Sequence, residues 1–239
     1  LDRRLSGLSF ATPLPPTAGL GIAWISAGVT DIQGRNSAGE KTKIMQTGED
    51  ALMISFAQRI LPWFSFGANI KILQNQLPIN ESYKGSGIGF DIGFLIKSGK
   101  STTFGLMIQD LNSMYNWDSG DLYAEGRIYS EYFPTIYRLG TKFIYKSILV
   151  VADAGFITNY RVGKEVSEDT FINLSPRIGI EYTYMDLYYI RGGLGNGRIA
   201  FGWGLEYDLI KDHDSRIDYT FSMDWASQLA HTFSYGFNF

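Results

Sequence analysis

The sequence predicts an all-β fold, a transmembrane antiparallel β-barrel, and three observations carry that expectation. Segments alternate between large apolar and small or charged residues for about ten positions at a time, longer than the ~5–6 usual in soluble strands and near the ~9–11 that cross a bilayer at a tilt. One face of each segment carries rows of Phe, Ile, Trp and Tyr, while the other is crowded with ionisable groups and glycines. The connections between segments also alternate in length, as in outer-membrane barrels with short periplasmic turns and longer extracellular loops.

The alternation is clearest at the C-terminal end. Leu229, His231, Phe233, Tyr235, Phe237 and Phe239 share one face of a strand, and Ala230, Thr232, Ser234, Gly236 and Asn238 share the other, because successive side chains point to opposite sides. Ile199, Phe201, Trp203, Leu205 and Tyr207 alternate with Ala200, Gly202, Gly204, Glu206 and Asp208. Ile217, Tyr219, Phe221 and Met223 alternate with Arg216, Asp218, Thr220, Ser222 and Asp224. Upstream, Ile88, Phe90, Ile92, Phe94 and Ile96 oppose Gly89, Asp91, Gly93 and Lys97, and Phe64, Phe66, Ala68, Ile70 and Ile72 oppose Ser65, Gly67, Asn69 and Lys71. Only closed barrels let a sheet span lipid, since an open edge leaves backbone groups unpaired. Trp24, Tyr145, Tyr182, Tyr184, Tyr207 and Trp225 lie near segment ends, where interfacial aromatic girdles sit.

In chain order the strands are expected at 3–12, 17–28, 50–60, 64–76, 87–97, 102–112, 132–145, 148–159, 171–183, 187–194, 198–210, 215–225 and 229–239. Long loops are expected at 29–49, 77–86, 113–131 and 160–170. Thirteen strands with a periplasmic C-terminus place the first strand outside to inside, whereas bacterial single-chain barrels have an even strand number. The expectation is therefore about fourteen strands in the full protein, with thirteen here. An upstream strand, a plug region and a signal peptide are expected beyond the present sequence. Strands 3–12 and 229–239 run in the same direction by this count, so a further strand is expected between them.

Composition agrees with one domain spanning 1–239. Hydrophobic residues make up 45% and charged residues 19% of the 239 residues, with 15 Tyr, 16 Phe and 27 Gly and no linker-like tract. That excludes disorder and favours β-structure with close backbone approaches. A net charge of −3 offers no footprint for nucleic acid. The absence of cysteine removes disulfides, thiolate metal sites and cysteine nucleophiles. No cofactor is indicated.

Several segments, taken in order, carry a resemblance. They are Gly19-Leu-Gly-Ile-Ala-Trp-Ile-Ser-Ala-Gly28, Phe66-Gly-Ala-Asn-Ile-Lys71, Gly89-Phe-Asp-Ile-Gly-Phe94, Phe133-Pro134 before Arg138-Leu-Gly140, Arg191-Gly-Gly193, Ile217-Asp-Tyr-Thr-Phe221 and His231-Thr-Phe-Ser234. Their order resembles the PorV/PorQ family of outer-membrane proteins, which are similar in fold to the FadL fatty-acid transporters. The resemblance implies a fourteen-stranded barrel in the bacterial outer membrane. It also implies a part in type IX secretion, where PorV-like proteins bind cargo, translocon or surface-attachment partners. The family's N-terminal Asn-Pro-Ala plug region has no counterpart here.

Charges on the polar faces are candidate lumen-lining groups: Arg59, Lys71, Asp91, Lys97, Arg138, Lys142, Asp153, Arg177, Glu181, Arg191, Glu206, Asp208, Arg216 and Asp218. Such charges either tune passage through a pore or pair across strands and stiffen the wall; their mixed signs favour pairing. Loop 113–131 is aromatic-rich, with Met114, Tyr115, Trp117, Leu122, Tyr123, Ile128 and Tyr129. Surface aromatics anchor protein partners, but the loop could equally fold inward and pack. Loop 29–49 is polar and reads as a mobile exterior loop, with an Ile44-Met45 end that could also pack. Asn196-Gly197 reads as a tight hairpin turn and not as part of a phosphate loop, since a strand follows it. His213 reads as a solvated turn residue. His231 and Ser234 fall on opposite faces, so no serine–histidine pair forms, and no enzyme is expected. Two functions remain. One is a partner-binding barrel of a secretion or surface-assembly machine, surrounded by outer-membrane lipid. The alternative is a FadL-like channel for hydrophobic small molecules.

Overall fold

A computed structural model describes residues 2–78, 83–120, 125–158, 173–210, 213–224 and 229–238. All its regular elements are strands: β1 (Asp2–Leu14), β2 (Ala18–Arg35), β3 (Lys41–Leu61), β4 (Phe64–Gln76), β5 (Lys84–Ser98), β6 (Thr102–Leu111), β7 (Met114–Asp118), β8 (Ile128–Tyr132), β9 (Thr135–Tyr145), β10 (Ile148–Thr158), β11 (Asn173–Tyr184), β12 (Tyr188–Gly195), β13 (Arg198–Ile210), β14 (His213–Asp224) and β15 (Ala230–Phe237). They form one antiparallel sheet of fifteen strands. Hydrogen bonding runs in chain order from β1 to β6, then β9 to β15, with β7 and β8 off this path. Among the described residues the wall path therefore has thirteen strands, the number that the alternation predicts. The sheet is open, and β1 and β15 are the ends of the path.

The strands form for reasons visible in their side chains. On β13, Phe201 is 62% exposed and Trp203 51%, while Gly204 between the two faces' neighbours is buried. Phe90 and Phe237 are exposed as well. A water-soluble fold would hide these residues in a common core; here lipid is their solvent. The apolar run Ile199–Tyr207 rises roughly 20 Å across a membrane at ~3.3 Å per residue and a ~40° tilt, close to the ~25 Å apolar band of such walls. Asn196 and Gly197 both have positive φ, 52° and 72°, and join β12 to β13 in the two-residue turn that matches strand twist.

Three expectations are corrected. Residues 29–49 are largely strand: β2 runs on to Arg35 and β3 begins at Lys41. Their register shifts between Val29 and Ile32 and again between Gln33 and Arg35. The Asn36 side chain closes the tip, its Oδ1 accepting from the amides of Ala38 at 3.0 Å and Glu40 at 2.9 Å. The alternation fails to announce these arms because lipid does not face them. Beyond Trp24 the outward face of β2–β4 turns to Ser26, Asp50, Gln74 and Gln76. Residues 113–131 are likewise not a plain loop but contain β7 paired with β8. His213 is the first residue of β14. The expected loop 160–170, Trp225 and Phe239 lie outside the described residues.

The chain divides into two compact units. The first comprises residues 1–94, 107–137 and 157–171, and the second 95–106, 138–156 and 172–239. In the first unit Leu73, Tyr115 and Trp117 are the buried apolar side chains among the described residues, with Ala51, Leu77, Tyr83 and Phe133 packed around them. The second unit holds no comparable apolar cluster among its described residues; its polar face is organised by ion pairs.

Candidate functional site

In the first unit the polar face of β4 carries Asn69, Lys71, Leu73 and Asn75, one side chain every second residue. Beside it, β5 presents Gly85, Gly87, Gly89 and Asp91 at the same spacing. The Lys71 ammonium lies 2.6 Å from Asp91 Oδ1 and also pairs with Asp110. Asn69 donates to Asp91 Oδ2 at 3.0 Å, Ser55 donates to Asn69 at 3.0 Å, and the Asp110 amide donates to Asp91 Oδ1 at 2.9 Å. Lys71 and Asp91 are both buried, at 8% and 6% exposure. Buried ions persist only when they are paired and hydrogen-bonded, and this cluster meets that condition through four strands.

Asp110 reaches Lys71 through an unusual backbone. Phe104 and Leu106 on β6 face outward, and simple alternation sends Asp110 the same way. Asp110 and Asn112 instead take positive φ, 56° and 53°, a conformation that Asp and Asn tolerate better than other non-glycine residues. The chain turns there into the β7–β8 hairpin, which is off the main strand path but pairs with β5. That hairpin lies on the β5 glycines. A Cβ at Gly85 would come within 2.7 Å of the Trp117 ring, at Gly87 within 1.6 Å of the Met114 carbonyl oxygen, and at Gly89 within 2.1 Å of Ser113 Oγ. Side chains are absent from this stripe because the hairpin occupies their space.

Above the ion cluster the hairpin builds an aromatic group. Tyr115 sits edge-on to Phe133 at 5.0 Å, Trp117 lies 5.4 Å from Tyr83, and the two meet at 5.8 Å. Trp117 Nε1 donates to Glu131 at 3.0 Å, which satisfies its buried N–H. Burial, followed by the nearby carboxylates of Glu49, Glu131 and Asp110, pushes the Tyr115 phenol up to about 12.

The second unit carries two ion networks on the polar face of its strands. Arg138 and Arg177 share Asp153, at 2.7 and 3.0 Å. Arg191 bridges Glu181 and Asp218, each at 2.5 Å, and Arg216 also binds Asp218 at 3.0 Å. Tyr189 donates to Glu206 at 2.6 Å, and the Arg216 guanidinium lies 4.3 Å over its ring. Glycine again makes room: Gly204 stands in register between Tyr189 and Asp218.

Of the expected lining charges, Asp91, Arg138, Arg177, Glu181, Arg191 and Asp218 are engaged in ion pairs, while Glu206 holds a phenol. Of the expected partner-binding residues, Tyr115 and Trp117 are buried rather than displayed, because Leu73 gives them an apolar floor. Tyr129 is 65% exposed. Leu122 and Tyr123 lie outside the described residues. Sequence reasoning missed Leu73, Ser113, Asp110 and Phe133. An apolar Leu73 on an otherwise polar face, opposite a glycine at every second position of β5, was the available signal. His231 bonds the Tyr219 hydroxyl at 2.7 Å on the apolar face, whereas Ser234 stands in register with Asp218 on the polar one.

No protein-family model matches the sequence, and no functionally curated protein matches it. Solved structures do. The Pseudomonas putida toluene transporter TodX aligns with a TM-score of 0.63 and 14% identity, covering 96% of this chain and 79% of that one. The Ralstonia pickettii toluene transporter TbuX aligns at 0.62 and 13%, covering 97% and 79%. A Pseudomonas aeruginosa FadL homologue aligns at 0.61 and 12%, covering 91% and 69%. The fold of this chain is that of FadL-like barrels of the bacterial outer membrane.

Proposed function

We propose that the protein is a FadL-like outer-membrane channel for hydrophobic small molecules. The observation that supports this reading best is the fold shared with toluene transporters over 96% and 97% of this chain. The buried aromatic group of Leu73, Tyr115, Trp117 and Phe133 adds to it, since apolar solutes need apolar surface to leave water. The test is flux of a small aromatic hydrocarbon into vesicles carrying the protein. Uptake above protein-free vesicles, lost on heat-unfolding the barrel, supports the channel; equal uptake refutes it.

A second reading is favoured by one feature. Ile128 and Tyr129 on β8 are 72% and 65% exposed, and exposed aromatic and aliphatic side chains of this kind anchor protein partners. On this reading the barrel is a PorV/PorQ-like component of a secretion or surface-assembly machine. Gentle-detergent purification followed by mass spectrometry separates the two: a stoichiometric secreted or translocon protein favours assembly, and a barrel with only lipid disfavours it.

A further inference from the structure

We infer that Lys71 is the positioning residue that holds the β7–β8 hairpin against β4 and β5, and that this ion cluster thereby controls passage along the proposed channel. The second half of this inference rests on the channel reading; the first does not. Three facts converge on Lys71. It neutralises two carboxylates from different strands, Asp91 on β5 and Asp110 in the turn that opens the hairpin. Every polar group of Asp110 is engaged in fixing that turn. Its amide binds Asp91, its carboxylate binds Lys71, and its carbonyl accepts from the Ser113 amide at 3.3 Å and from Thr135 Oγ1 at 3.4 Å.

The hairpin packs on Leu73 and on the β5 glycines, but its backbone pairing with the wall is short. β5 and β7 pair only at Gly85 with Trp117 and Ser86 with Asn116. Without Lys71, the buried Asp91 and the partly buried Asp110 face each other as like charges, and repulsion acts directly on the left-handed turn. Two-strand pairing this short does not persist alone; the apolar packing over Leu73 holds the far part of the hairpin, and the ion clamp fixes the turn at its base.

The chain has no cysteine, which permits a direct test. Ser86→Cys and Asn116→Cys are cross-strand partners, at the ~4.5–5.5 Å spacing of antiparallel pairs that a disulfide accepts. The rate of disulfide formation in the folded protein in vesicles then reports how often the hairpin is seated. In this background Lys71→Met should slow the reaction at least about tenfold, as expected when a buried charge loses its partner. Lys71→Arg should stay close to the parent. An unchanged rate in Lys71→Met overturns the inference. Should Lys71→Met fail to give the heat-modifiable folded form, Asp110→Asn serves instead, with a severalfold slower reaction expected and an unchanged rate again overturning it.

Hydrocarbon flux supplies the second arm. Flux should rise in reduced Lys71→Met and return to the parent level once the disulfide forms. If no variant passes hydrocarbon, the channel reading fails, while the crosslinking rate still decides the role of Lys71. If flux is high but insensitive to the disulfide, the hairpin does not control passage and that half of the inference is wrong.

Discussion

Replacing Gly204 with alanine tests whether the second unit's ion network is built around a missing side chain. A Cβ at this position would stand 2.3 Å from Asp218 Oδ1 and 3.1 Å from the nearer Arg191 guanidinium nitrogen. The Asp218 carboxylate must turn away, and its 2.5 Å bond to Arg191 is the one lost. Arg216 remains able to follow Asp218, and Arg191 keeps Glu181, so one charged hydrogen bond is forfeited. That is worth ~1.5–3 kcal/mol, offset by the ~0.5–1 kcal/mol that alanine gains over glycine in a strand. The net expectation is a loss of about 1–2 kcal/mol in reversible urea unfolding from thin vesicles. Gly236→Ala is the control, because nothing lies within 4 Å of a Cβ there; it should be neutral or slightly stabilising. In an Arg191→Met background the cost of Gly204→Ala should shrink, since the bond it breaks is already gone. Equal stability of Gly204→Ala and Gly236→Ala would refute the reasoning.

Other expectations follow from the same geometry. Phe201→Arg, on the lipid face, should cost ~2–4 kcal/mol in the same unfolding measurement; a cost below that of Gly202→Ser would mean the faces are reversed. Gly202→Ser itself is not free, since its Cβ meets Thr220 Oγ1 and the Tyr219 carbonyl at 3.1 Å. Tyr115, on the β7–β8 hairpin off the main strand path, holds its proton to about 12 in the fold against 10.0 ordinarily. Below the lower value both states are protonated; between the two only the unfolded state ionises, so stability falls as pH rises through this window. Tyr115→Phe should remove that alkaline slope, and an unchanged slope would assign it to other groups. Trp117→Ala should lower hydrocarbon flux or its selectivity under the channel reading, and flux identical to the parent would detach the aromatic group from passage.

How far the sequence revealed this arrangement depended on what each residue faces. Where one side meets lipid, as in Ile199–Tyr207, the period of two is unmistakable and the strand limits follow from it. Where both sides meet water or protein, the signal disappears. Ile32 and Ile44–Met45 belong to strands that pair here across two register shifts, yet no lipid imposes a pattern on them. The β7–β8 hairpin was hidden for a related reason: its apolar side chains serve packing within the protein, so Tyr115 and Trp117 looked like a surface loop. Parity assigns a charged residue to a face, but parity gives no partners. Which carboxylate an arginine chooses depends on diagonal reach, as when Arg191 passes its direct neighbour Gly202 to find Asp218 opposite Gly204.

Several glycines are explained by what lies over them better than by backbone flexibility. At Gly85, Gly87, Gly89, Gly155 and Gly204 an added Cβ would strike a side chain or carbonyl brought over from elsewhere: Trp117, Met114, Ser113, Ser175 and Asp218 in turn. Each glycine therefore marks a place where another element lies on the polar face. In β5 the occupant is a hairpin carrying an aromatic group, and in β13 it is an ion network joining three strands. A wall whose outward side chains are committed to lipid must find its internal cohesion on this other face. It does so by pairing charges across gaps that glycine leaves open. Under the channel reading, specificity for a solute would come from what stands on that face, and in the first unit this is the aromatic hairpin whose base Lys71 holds.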